Sequence, residues 1–94
     1  MTAYLLFTRT ATKDETELAV YSSMAGATLG GHPANVLVHY GAQDVLEGPA
    51  HEGVVILAFP SVAEAKAWYD SPAYREAREH RFRGADYQVT LVEG

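Results

Sequence analysis

Val54 to Phe59 reads VVILAF, an unbroken apolar run that forms a strand only if both of its faces are covered. The N-terminal segment Ala3 to Thr10 carries the same demand. Tyr4, Leu6 and Thr8 alternate with Leu5, Phe7 and Arg9, so aromatic or aliphatic residues occupy both sides for most of its length. With 94 residues the chain has room for one domain and one core, and two strands that are apolar on both sides decide how that core is laid out.

The segments around them alternate in period. Thr12 or Asp14 offers an N-cap, followed three residues later by Glu15 or Glu17. The helix then expected over about Glu15 to Leu29 places Leu18, Tyr21, Ala25 and Leu29 on one face and ends at Gly30-Gly31. Asn35 to Tyr40 reads as a second strand, with Asn35, Leu37 and His39 alternating against Val36, Val38 and Tyr40; after the turn at Gly41 to Asp44, Val45-Leu46 offers a brief pairing. After VVILAF, Ser61 and Glu64 form a capping-box signature, and Ala65, Trp68 and Tyr69 share a helical face. Asp70-Ser71-Pro72 breaks that helix and starts another, from Pro72 to about Phe82, carrying Tyr74, Ala77 and Arg81. Tyr87 to Val92 closes the chain as a strand.

The order β-α-β-β-α-β predicts an α+β, ferredoxin-like domain with a four-stranded antiparallel sheet and both helical segments on one face. Leu5, Phe7, Val55, Leu57 and Phe59 then line one side of their strands and Leu6, Val54 and Ile56 the other, and the helices cover only one of the two sides. Burying one such side chain contributes roughly 1.5–3 kcal/mol, so a bare apolar sheet face is a large loss. A second copy, sheet against sheet, removes it, and a homodimer is the partner expectation.

Composition narrows the function classes. A net charge of −5 with seven Lys and Arg argues against nucleic acid, which needs a clustered positive surface. Four of those seven lie between Arg75 and Arg83 among Glu76 and Glu79, the pattern of a solvated, ion-paired helix face. The absence of cysteine removes thiol chemistry and is compatible with a reducing compartment, and MTAYLLFTRT turns polar too soon for a signal peptide or a span. A cytoplasmic protein without membrane or nucleic-acid partners is the expectation. His32, His39, His51 and His80 lack metal-ligand spacing, and there is no P-loop, G-x-S-x-G or Rossmann glycine pattern, so no metal or cofactor is expected.

Asp14 and Tyr21, Gly30-Gly31, Leu46-Glu47-Gly48, Phe59-Pro60-Ser61, Ala65, Trp68-Tyr69, Ser71-Pro72, Tyr74, Arg81 and the closing Leu91-Val92-Glu93-Gly94 together resemble the family called domain of unknown function 1330 (DUF1330), a branch of the dimeric α+β barrel superfamily. The chain departs from the family pattern at Glu15 and Leu18, and at His32-Pro33-Ala34-Asn35 after the paired glycines. The resemblance implies ferredoxin-like subunits that pair through their sheets, in a superfamily where cofactor-free oxygenases, isomerases and cyclases occur.

Seven residues emerge as site candidates. His39, projecting between helices and sheet, can act as a general base near neutral pH or be a hydrogen-bonded structural residue, and His32 is the alternative base. Arg81, on the inward face of its helix, needs either a protein carboxylate such as Glu47 or the carboxylate or enolate of a ligand. Tyr21, Trp68, Tyr69 and Tyr74 supply flat apolar surface with polar tips, suited to an aromatic or polyketide-like ligand as well as to a core. The functional expectation is a small-molecule pocket protein, extending to a cofactor-independent enzyme acting on an enolisable or aromatic metabolite; the alternative is a non-catalytic binding or assembly module.

Overall fold

In a computed structural model that describes all 94 residues, β1 (Ala3–Thr12), β2 (Asn35–His39), β3 (Gly53–Phe59) and β4 (Ala85–Glu93) form one antiparallel sheet in the order β2-β3-β1-β4. Helix α1 (Glu15–Ala25) runs on into a 3₁₀ turn over Gly26–Leu29, and α2 (Val62–Tyr69) and α3 (Pro72–Gly84) follow β3. This is the expected ferredoxin-like topology. No helix is long and apolar enough to cross a membrane.

Local chemistry accounts for the boundaries. Asp14 is the cap of α1, accepting from Thr16 N at 3.0 Å and Glu17 N at 3.3 Å. The helix expected to reach Leu29 tightens to 3₁₀ over its last turn, and Gly31 then takes a left-handed φ of 81° that redirects the chain. Ser61 Oγ accepts from Glu64 N at 3.2 Å and Ser71 Oγ from Tyr74 N at 3.3 Å, so each half of the broken helix has its own cap. Val45-Leu46 forms no strand: the chain from Tyr40 to Glu52 has neither helix nor strand, and Leu46 is 85% exposed.

The two strand faces separate as expected. Leu5 stands opposite Leu57 and Phe7 opposite Val55 on the helix side, where Phe59, Trp68, Tyr74 and Ala77 complete a buried core. Leu6 opposite Ile56 and Thr8 opposite Val54 point the other way, joined by Tyr4, Val38 and Val92. No helix covers that second face.

One expectation fails in detail. Val36 pairs with Leu57 but Val38 pairs with Ile56, so Leu37 is the extra residue of a β-bulge. The bulge breaks the alternation: His39 opposite Val55 faces the helices together with Val36, while Asn35 opposite Ala58 faces away.

Candidate functional site

Between α1 and the β2 side of the sheet lies a cleft of about 130 Å³. Phe7, Val55 and Leu57 form its floor, and Tyr21, Ala25 and Leu29 its roof. Val36 and His39, brought to one side by the bulge, stand at its exposed mouth. Ten of the twelve lining residues are hydrophobic, so the space selects apolar surface. A space of this size is enough for a single-ring molecule.

Trp68 forms one wall, fixed by its indole N–H, which donates to Thr28 Oγ1 at 3.1 Å. Phe59 stacks on it at 5.8 Å and Tyr74 lies 4.1 Å from it, centroid to centroid. Trp68 thus serves core and cleft together, whereas Tyr74 is wholly buried and supports the cleft from behind. The Tyr74 hydroxyl shares a 2.8 Å hydrogen bond with that of Tyr21. Burial is the main cause that holds both phenols above their ordinary pKa, so both stay neutral.

The far end of the cleft is closed by residues that sequence patterning did not single out. Tyr40 has a left-handed φ of 52°, and its ring lies across Gly53, where an added Cβ would come within 2.6 Å of Tyr40 Cδ1. The Arg9 guanidinium stacks over the same ring at 4.9 Å, and the Tyr40 hydroxyl reaches that of Tyr87 on β4. Tyr40 therefore crosses β3 and β1 to join the two edges of the sheet. Burial, followed by the hydrogen bond to Tyr87, raises its pKa. The only signals in the sequence were the glycines, Gly41 after Tyr40 and Gly53 before the apolar run.

The remaining candidates lie apart from this cleft. His32 sits half-buried in the turn after the 3₁₀ segment, its backbone N–H bonded to Leu29 O at 3.0 Å, and it lines none of the clefts. Tyr69 and Arg81 border a separate opening on the β4 side. Arg81 is 3% exposed and forms no ion pair with Glu47 or any other carboxylate. Its Nη2 donates to Tyr69 Oη at 3.2 Å, its Nε is buried without a partner, and its guanidinium lies over Phe7, Phe82 and Tyr87 at 5.7, 5.1 and 5.1 Å. Desolvating a cation costs several kcal/mol, and each of the three ring contacts returns roughly 0.5–2 kcal/mol, so the rings offset much of the cost without satisfying the guanidinium's N–H donors. The charged face of α3 is ion-paired only in part, and to residues outside the helix: His80 Nδ1 meets Glu17 Oε2 at 2.6 Å, Arg83 Nε meets it at 3.4 Å and Arg78 Nη1 meets Asp70 Oδ1 at 3.8 Å, while Glu76 and Glu79 pair with none of the arginines. No group of three or more potential metal ligands occurs.

A split βαββαβ sheet with an apolar, tyrosine-bordered cleft beneath its first helix defines a ferredoxin-like protein. The chain belongs to the family described as Domain of unknown function (DUF1330), whose sequence pattern matches residues 2–94. It is similar in structure to a protein of unknown function from Rhodopseudomonas palustris, with 23% identity, a TM-score of 0.78, and coverage of 99% of this chain and 82% of that one. A dimeric ferredoxin-like protein of unknown function from Bacteroides fragilis matches at 13% identity and a TM-score of 0.68, covering 99% and 96%. SnoaB, described as a cofactor-independent oxygenase from Streptomyces nogalater, matches at 9% identity and a TM-score of 0.67, covering 99% and 92%. No curated protein sequence matches this chain.

Proposed function

We propose that the protein is a homodimer whose subunits each bind a flat, single-ring molecule bearing a carbonyl or phenol in the cleft beneath α1, with His39 placed to take a proton from it. The observation that carries the reading is the cleft itself: an apolar space of about 130 Å³ with an imidazole at its mouth. The phenols of Tyr21 and Tyr40 are held neutral by burial, and when Tyr74 and Tyr87 donate to their oxygens each keeps its own proton to donate as negative charge develops on a ligand oxygen. The fold shared with a cofactor-independent oxygenase is consistent with this chemistry, as analogy of shape.

The homodimer follows from the uncovered face bearing Leu6, Ile56, Val54, Tyr4 and Val92. The subunit measures 30 × 30 × 17 Å, and its broad side is comparable with the roughly 800 Å² per partner of a stable interface. Dimeric relatives of the same fold agree with it.

Trp68 is the sole tryptophan and lines the cleft, so its emission reports occupancy. Titration with phenol, p-cresol and acetylacetone is expected to give saturable quenching with at least one of them, abolished in Val36→Phe, which closes the mouth. Lack of saturation with all three, or equal binding by Val36→Phe, refutes the reading.

A further inference from the structure

We infer that Arg81 and Tyr69 form a second binding site, distinct from the cleft beneath α1, that takes the carboxylate of a small monocarboxylic acid with an aromatic or aliphatic tail. The first observation is the unspent hydrogen-bonding capacity of a cation that is 97% buried by its 3% exposure. Only Nη2 of the guanidinium is hydrogen-bonded within the chain, and Nε is buried without a partner, which leaves Nη1 for the opening that Arg81 borders. Tyr69 Oη accepts the bond from Nη2, so its own proton is free to be donated. Two donors therefore converge on one place from α2 and α3, fixed by the Ser71 cap and the Pro72 restart between them.

The second observation is the space next to them. An opening of about 330 Å³, walled by Tyr69, Phe82, Tyr87 and Val89, lies beside Arg81. It shares Tyr69 and Val89 with a further opening of about 380 Å³ that runs along β4 past Leu5, Ala65 and Leu91. A charged head at Arg81 and an apolar tail along β4 match this division between donors and apolar wall. Asp86 also lines this opening; its carboxylate is paired with Lys13 Nζ at 3.3 Å, which offsets its charge toward an incoming anion and leaves Arg81 without a carboxylate of the chain. One guanidinium and one hydroxyl suit a planar monoanion. The site stands without the reading of the first cleft, because the two spaces are lined by different residues apart from Tyr87.

The test is calorimetric and NMR titration of the intact protein with 3-phenylpropionate and with its neutral isostere 3-phenylpropionamide. The acid is expected to bind at least about tenfold tighter than the amide, the worth of one charge-assisted hydrogen bond, with amide-proton shifts centred on Tyr69, Phe82 and Val89. Arg81→Gln should bring acid and amide to equal affinity, and Tyr69→Phe should weaken the acid severalfold while sparing the amide. Should Arg81→Gln fail to fold, Tyr69→Phe together with Arg81→Lys, which keeps the charge and loses the planar fork, decides the question. Equal affinity of acid and amide for the unaltered protein, binding of neither at millimolar concentration, shifts confined to Leu29 and Val36, or undiminished acid binding in the variants overturns the proposal.

Discussion

Gly84 brings the end of α3 close against Leu18 of α1, and replacing it with alanine puts a number on that contact. A Cβ at this position would stand 2.7 Å from Leu18 N, 2.9 Å from Leu18 Cα and 3.1 Å from Leu18 Cβ. Two of these are backbone atoms that no rotamer change can move, so restoring an ordinary 3.4 Å requires α1 and α3 to part by about 0.7 Å. The same movement strains the hydrogen bonds that Gly84 O accepts from Lys13 N at 2.8 Å and Asp14 N at 3.0 Å, just ahead of α1. Overpacking of this kind costs roughly 1–3 kcal/mol, and weakening two backbone hydrogen bonds adds to it, each worth ~1 kcal/mol if lost outright. Against these stands the advantage of Ala over Gly in a helix, at most about 1 kcal/mol. The expected net loss is about 2 kcal/mol, or a fall in Tm of roughly 8–16 °C for a domain of this size. The assay is thermal and urea unfolding at one fixed protein concentration, because association would itself shift the midpoint. Gly26→Ala is the control, since nothing lies within 4 Å of a Cβ there, and it should match or slightly exceed the native protein. A Gly84→Ala protein as stable as the native one would refute the close-approach argument.

Leu6→Glu places a charge opposite Ile56 on the uncovered face and is expected to give a monomer by sedimentation equilibrium under conditions where the native protein is expected to sediment as a dimer. Asp14→Ala removes the side chain that accepts from Thr16 N and Glu17 N and should cost about 1 kcal/mol in urea unfolding. Glu17 is held below the usual carboxylate range mainly by its hydrogen bond to His80, with Arg83 adding to it, so its contribution to stability is complete above that range and disappears as pH falls through the lowered value. The Tm of Glu17→Gln should therefore fall less steeply on acidification, while Glu52, lowered chiefly by the hydroxyl of Thr12, keeps an acid limb in place.

The topology could be read from the chain because its signals are local and agree with one another. Caps at Asp14, Ser61 and Ser71, the stop at Gly30-Gly31 and the alternating faces of β1 and β3 each act within a few residues. The site was legible only in part. Trp68, Tyr21 and His39 do line the first cleft, but His39 does so by way of a bulge that alternation alone cannot foresee, and Tyr40 was expected to point the other way. The meeting of Tyr40 with Tyr87 joins residues 47 positions apart and depends on Gly53 having no side chain, a long-range condition with no periodic trace. Glu47 as a partner for Arg81 was a matter of charge counting, and the irregular segment from Tyr40 to Glu52 does not bring it there.

Tyr40 acts as a crossbeam. Strands in a small sheet ordinarily twist and splay with some independence, yet here the outermost two are tied together by a ring laid over the inner pair. Since Tyr87 at the far end of that tie forms part of the boundary of both openings, the two chambers have a common partition, and a guest that displaced it in one would reshape the other.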